Sequence, residues 1–397
     1  MSQLMHRVLR DLIVPVSTWN PRQSEDENFN YIDLGAVDQA RKLITAARLT
    51  RTKEAPSRAR QIVSAGDVLV STVRPNLNGV AVVPGELDGA TASTGFCVLR
   101  PNAALNTRFL FHWVKSPGFV ADMVRKATGA SYPAISDRII HESSLPLPSL
   151  PEQRRIAAVL DQADGLLAKR CEALVQIDRL AESIFLELLG RYYANGASWN
   201  DSLHLGQVAE VSSGITKGRK PPQASLRAVP YLAVVNVQEK RLELSNVKQI
   251  EATEQEIERY RLHEDDLLLT EGGDPDKLGR GSLWNNELPE AIHQNHIFRV
   301  RITAGEKVDP VYLSYFVSSD RGKQYFLRSA KQTTGIASIN MAQLRRFPLL
   351  LPPIEVQQEF ARRVRVAQQL RTRQRASLAE LDALFASLQD RAFRGLL

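Results

Sequence analysis

From Leu160 onward apolar residues return every seven positions, at Leu160, Leu167, Leu174, Ala181 and Leu188, with a companion series at Ala163, Arg170, Ile177 and Ile184. A seven-residue repeat predicts the seam of a coiled coil rather than the broad stripe of a helix lying on a globular core. The pattern returns about two hundred residues later as Val364, Arg371, Leu378, Phe385 and Ala392, with Ala367, Gln374, Leu381 and Leu388. Each helix follows a proline-punctuated apolar ramp, LPLPSLPEQRRI (145–156) and FPLLLPPIEVQQEF (347–360). Prolines stop a preceding strand and suit the first turn of a helix. Arg170 and Gln374 are polar members at equivalent places, and such residues fix register at some cost in stability. Antiparallel pairing of the two helices is the expectation; the alternative is that each packs on its own globular unit.

The repetition extends beyond the helices. A shift of 204 lays Pro148 on Pro352, Ile156 on Phe360 and Leu174 on Leu378. Upstream, TGASYPAIS (128–136) parallels TTGIASIN (333–340), and RFLFHWVKS (108–116) parallels VYLSYFVSS (311–319). GDVLVS (66–71) resembles DDLLLT (265–270), and YIDLGAV (31–37) resembles YLAVVNV (231–237). The order of blocks never changes, which marks a tandem duplication. Short strand-like runs such as DVLVSTV, FCVLRP and HIFRVRI alternate with turns, and a helix follows in each half. The predicted fold is α/β or α+β: two similar globular domains joined by a long antiparallel two-helix coiled coil, a tandem repeat with pseudo-two-fold symmetry. The expected divisions are 1–148, 149–195, 196–350 and 351–397. Duplicated halves give two-fold geometry without the entropic cost of association.

Composition narrows the class. The 397 residues are 43% apolar and 24% charged, as in soluble globular proteins. No apolar run reaches the roughly 18 residues of a membrane span, and MSQLMHRVLRDLIV lacks a secretory pattern. Two cysteines, Cys97 and Cys171, provide neither a disulfide framework nor a thiolate metal cage. A cytoplasmic protein without membrane contact is expected. The net charge of +7 favours a polyanionic partner.

The turns carry chemistry suited to DNA. STVRPNLNG (71–79) places Arg74, Asn76 and Asn78 directly after a strand; Arg pairs bidentately with guanine and Asn with adenine. SSGITKGRKPP (212–222) holds Lys217, Arg219 and Lys220 on a glycine-flexible loop suited to phosphate. HQNH (293–296) presents Gln294, Asn295 and His296 before an apolar strand. TGASYP and TTGIAS bring small polar residues to matching turns. The bland reading of each is a solvated turn. His293 and His296 lack a third metal ligand nearby, DPDK (274–277) reads as an exposed turn, and RRVRVAQQLRTRQR (362–375) as a solvated helix face. No phosphate-binding loop, Gly-rich cofactor fingerprint or nucleophile with its base is present, so no catalytic residue is assigned.

PLPSLPEQRRIAAVLDQADGLLAKR (146–170), with STVRPNLNG, ASTGFCVLRP (92–101) and TGASYPAI (128–135), resembles the specificity subunit of type I restriction-modification enzymes across essentially the whole chain. The resemblance implies two target recognition domains, each reading one half of a bipartite, asymmetric double-stranded DNA sequence. The candidate DNA-facing set is then Arg74, Asn76, Asn78, Thr94, Ser131, Tyr132, Lys217, Arg219, Lys220, Asn236, Gln294, Asn295 and His296. It also implies two modification subunits, adenine methyltransferases using S-adenosylmethionine, and two restriction subunits using ATP and Mg to translocate and cut. This chain itself would bind no cofactor or metal and catalyse nothing, yet be required for both methylation and cleavage. The helical regions would dock the modification subunits through Glu152, Gln153, Arg154, Arg155, Gln357 and Gln358. IEVQQEF (354–360) departs from PEQRRI, so an asymmetric docking surface is expected. The paired helices would act as a ruler: Leu160 to Leu188 spans roughly 40 Å at 1.5 Å per residue, near the roughly 34 Å of one duplex turn. A stand-alone DNA-cleaving or modifying enzyme and a coiled-coil scaffold that ignores DNA are the alternatives.

Overall fold

The computed structural model describes residues 5–129, 131–194, 203–219, 225–274, 278–333 and 336–397. The chain forms two compact units, Met1–Leu174 with Arg373–Leu397, and Val175–Thr372. This division departs from the four segments expected from the sequence, because each long helix contributes one end to each core.

In the first unit the strand Val68–Ser71 is buried along its apolar run. Successive side chains point to opposite faces of a strand, so Val68 and Val70 enter one core while Leu69 enters another. This strand lies between Phe96–Pro101 and Val80–Val82, antiparallel to both, and Ile13–Val14 completes the sheet. A second sheet runs Arg48–Arg51, Asn28–Ile32, Thr91–Ser93, Ala59–Ile62, with its two middle strands parallel and Thr91 opposite Tyr31. Two helices follow, Thr107–Lys115 capped by Asn106 and Pro117–Lys126 capped by Ser116.

The second unit repeats the plan. Leu267–Thr270 sits between Ile297–Ile302 and Gly281–Leu283, with Ala209–Ser213 outside. Leu267 and Leu269 face one core, Leu268 the other. Arg227–Leu232 pairs in parallel with Ile292–His293, Tyr231 lying opposite Ile292, and antiparallel with Lys248–Ala252. The helices Pro310–Ser318 and Asp320–Ser329 follow, capped by Asp309 and Ser319. An ion pair on a buried aspartate recurs at the same place: half-buried Arg100 clamps Asp67 at 2.8 and 2.7 Å, and half-buried Arg301 clamps Asp266 at 2.7 Å through both contacts.

The central helix, Leu150–Ala194, and the last helix, Ile354–Phe393, run antiparallel within each unit. In the first, Ile156, Ala157 and Leu160 share a core with Ala392, against which Phe385 and Leu388 also pack. In the second, Ala181 and Phe185 meet Phe360, Ala361 and Val364, with Ile184 and Leu188 packed against the same core. The heptad positions Ile177 and Ala367 are buried, whereas Leu167, Leu174, Leu378 and Leu381 are half-buried. Arg170 donates to the Gln374 amide oxygen, so the two polar seam members meet each other. Arg371 pairs with Asp178.

Both helices begin on the same joint. Gln153 accepts from the Asn106 N–H at 2.8 Å and donates to the Ala104 and Pro148 carbonyls. Gln357 accepts from the Asp309 N–H at 3.0 Å and donates to the Lys307 and Pro352 carbonyls. Both side chains are buried, 1% and 0% exposed. The sequence pattern makes both residues candidates for docking a partner, but their amides are fully engaged inside their own units. The joint is also mirrored between the halves despite the change from PEQRRI to EVQQEF.

Candidate nucleic-acid interface

In each unit three loops converge beyond the end of the central strand. In the first, the Thr72 N–H donates to the Gly95 carbonyl, the Ile135 N–H donates to Thr72, and the Arg74 N–H donates to Pro133 at 2.7 Å. The loops 72–78, 93–95 and 128–135 are thereby tied together. In the second, the Glu271 N–H donates to His296 and the Ile339 N–H donates to Glu271. Gly272–Gly273 pairs with Ile336–Ser338, which pairs with Lys331–Thr333. The two clusters share one backbone plan and differ in the side chains they present.

The first cluster presents a cation on an aromatic face. The Arg74 guanidinium lies 4.7 Å from the centre of the Tyr132 ring, and both side chains are exposed. Stacking pre-organises a guanidinium while leaving its hydrogen-bonding edge open. Arg74 and Asn78 hold the left-handed backbone, φ 51° and 47°, which turns the loop sharply between them. Asn76, Thr94 and Ser131 are also exposed. Exposed Arg58 lies beside Thr94, whose N–H bonds its carbonyl; nothing in the sequence pattern singled it out. The second cluster presents Gln294, Asn295 and His296, with His296 Nδ1 2.5 Å from Glu271 Oε2.

Other candidates serve the fold. Asn78 donates to the Lys115 carbonyl, and its own carbonyl accepts from Lys42. Asn236 is buried; it accepts from the Ala233 N–H and donates to the Glu243 and Asn246 carbonyls. Arg219 is clamped by Glu256 at 2.7 and 2.6 Å, and this pairing holds the Glu256 carboxyl down to about 2. An arginine so neutralised is a poor phosphate contact. Lys217 is exposed, and Lys220 lies outside the described residues, as do 275–277 of DPDK. His293 is buried with Nδ1 3.0 Å from the Ile297 carbonyl, and burial lowers its pKa to about 4. Among the described residues no group of three or more His, Cys, Asp or Glu is placed to hold a metal ion.

On the helices, Arg154 and Gln358 are exposed, and Glu152 pairs with Arg155 one turn along. In the Arg-rich stretch, Arg362 and Arg363 are exposed and share Glu359. Outside the seam Leu166, Leu180, Leu186, Val366, Leu370 and Leu384 are all more than two-fifths exposed. No helix among the described residues is long and apolar enough to cross a membrane.

A duplicated α/β unit whose two copies carry unlike loops on a common frame, with a long helix following each copy, defines a class of tandem-repeat proteins. A profile of the type I restriction modification DNA specificity domain matches the chain twice, over residues 42–176 and 198–377, and the chain belongs to this family. The specificity subunit of the type I restriction enzyme EcoKI from Escherichia coli (strain K12) is 25% identical over 319 residues, covering 76% of this chain and 68% of the relative. That of StySPI from Salmonella potsdam is 24% identical over 318 residues, with the same coverage. A solved chain from a study of complex assembly and conformational transition in the type I R-M system covers 99% of this chain and 98% of its own length, at 24% identity and a TM-score of 0.61. The S subunit of the M. genitalium type I system covers 98% and 96%, at 12% identity and a TM-score of 0.57. These likenesses establish the fold.

Proposed function

We propose that the chain is the non-catalytic, sequence-reading subunit of a cytoplasmic type I restriction-modification complex, each unit reading one half of a bipartite, asymmetric duplex target. The observation that carries this reading is the repeated three-loop plan with unlike side chains. A shared frame supports two readers, and the change from Arg74 and Tyr132 to Glu271, Asn295 and His296 supports two different half-sites. Arg74 suits guanine, whose O6 and N7 accept its two donors. The long helices serve as the ruler between the half-sites and as the docking surface for two modification subunits. Their exposed leucines and valines suit partner helices better than water, and Arg154 and Gln358 are the candidate polar contacts. Two restriction subunits complete the assembly. S-adenosylmethionine, ATP and Mg belong to those partners.

The test maps methylated adenines in DNA from cells that carry this chain with a modification subunit. A two-part motif with a fixed gap is expected, and Arg74→Ala is expected to relax one position in one half by about tenfold or more. Absence of any motif overturns the reading. Equal weakening on random DNA would make Arg74 a phosphate contact.

A further inference from the structure

The second cluster places a carboxylate where a surface meant for DNA would ordinarily avoid one. Glu271 follows the buried strand Leu267–Thr270, at the place that buried Thr72 holds in the first unit. Its side chain is 35% exposed, and that of His296 beside it 56%. Phosphate charge repels a carboxylate, so one at such a surface is stable only against a hydrogen-bond donor. The donors that the major groove offers are the exocyclic amino groups, N4 of cytosine and N6 of adenine.

The neighbours fix what this site presents. His296 Nδ1 lies 2.5 Å from Glu271 Oε2, and Asn295 Nδ2 lies 3.4 Å from His296 Nε2. In the neutral ring one tautomer satisfies both contacts: Nδ1–H donates to the carboxylate, and Nε2 accepts from the Asn295 amide. The second carboxylate oxygen and the Asn295 side-chain oxygen Oδ1 then remain as acceptors. The edge they form is complementary to an amino group and repels both phosphate and the acceptor-rich edge of guanine.

We infer that Glu271 is a specificity-determining residue of the second half-site, accepting a hydrogen bond from the exocyclic amino group of a cytosine or adenine, with His296 as its positioning residue. This rests on the reading of the chain as a DNA-recognition subunit. The experiment uses the full chain in complex with its modification subunits, offered a pool of duplexes with randomised positions, with the bound fraction sequenced. The wild-type complex is expected to enrich cytosine or adenine at one position of one half, and the base found tells N4 from N6. Glu271→Gln is expected to lower that enrichment about tenfold or more, leaving the other half's preference unchanged, while loss of the negative charge tightens binding to random duplex. His296→Gln is expected to weaken preference at the same position and nowhere else. An unchanged motif in Glu271→Gln overturns the inference. So does uniformly tighter binding to every duplex with the base preference intact, the sign of a carboxylate that only repels phosphate. A wild-type complex that enriches no sequence overturns the DNA reading itself, a result distinct from either.

Discussion

The two units hold the helix pair by different chemistry at matching places. In the first unit Arg108 and His112, on the helix after the sheet, converge on Asp161 of the central helix; His112 Nε2 lies 2.7 Å from the carboxylate. Lys115 pairs with Asp164. In the second unit the positions of Arg108, His112 and Lys115 hold Val311, Tyr315 and Ser318. There the anchor is a cluster of rings: Phe360 lies 5.2 Å from Tyr315 and 5.5 Å from Phe185, and Phe185 lies 5.8 Å from Tyr312. Even the hairpin lysines that share a left-handed backbone, Lys42 and Lys240, follow the contrast. Lys42 reaches the Asn78 carbonyl, while the Lys240 ammonium sits 3.3 Å from the centre of the Tyr315 ring. Burial lowers both to about 8, with Lys115 adding repulsion in the first unit. The lesson is that the sheet frame and the glutamine joint are held in common, whereas the surface gripping the helices has diverged from ions to rings.

The largest test of the contrast is Phe360→Ala. Its ring is fully buried among three others, and its loss is expected to destabilise the second unit by about 3–5 kcal/mol, read by urea unfolding or by hydrogen exchange in that unit. Ile156→Ala, the matched change in the first unit, is expected to be milder. Equal losses would show that the ring cluster adds nothing beyond buried area.

Acid separates the units next. Burial, then repulsion from Lys115, lowers His112 to about 4, and burial lowers His293 of the second unit to the same value. The unfolded chain therefore binds protons that the folded histidines refuse. Stability is complete above the ordinary histidine value of about 6.5 and falls toward pH 4, by up to about 1.4 kcal/mol per pH unit for each. Below that the two surfaces that grip the helices diverge. Burial raises Asp161, but hydrogen bonds from Arg108 and His112 outweigh it and hold the carboxyl below its ordinary value. Its contribution is present above the usual carboxylate range and lost as pH falls through the depressed value. The ring cluster has no group that titrates there, since burial raises Tyr315 to about 12. Hydrogen exchange is expected to show both units weakening from pH 6.5 to 4 and, below that, protection lost where Arg108 and His112 hold Asp161 but kept around the ring cluster. Parallel loss in both would remove the distinction.

The smallest effect is expected at the half-exposed pair Asp178–Arg371. Arg371→Ala should cost under about 1 kcal/mol in the second unit by urea unfolding; a larger loss would make the pair a true counterpart of the Arg170–Gln374 tie.

Much of this was legible from periodicity. The heptads marked the helix seam, and the repeated blocks marked two like units, because both patterns are carried by apolar spacing along one stretch of chain. The loops at 71–79, 128–135 and 293–296 were also visible as polar turns after strands. The destinations of individual polar side chains were not. Asn78, Asn236, Arg219, Gln153 and Gln357 look like surface chemistry until their partners are known, and those partners include groups far along the sequence, such as Glu256 for Arg219 and Asn106 for Gln153. Glu271 was invisible for the converse reason: only the fold brings it beside His296.

The first unit is assembled from two stretches of chain separated by the whole of the second. Phe385, Gln389 and Ala392 complete its core, the Gln389 amide donating to the His112 carbonyl at 2.9 Å. A ribosome adding about 5–20 residues per second must traverse roughly two hundred residues, on the order of 10–40 s, before that core is closed. Through that interval the nascent first unit keeps an uncovered apolar groove, so its maturation waits on translation of its twin, and a message cut short after the second unit would leave the first one incomplete.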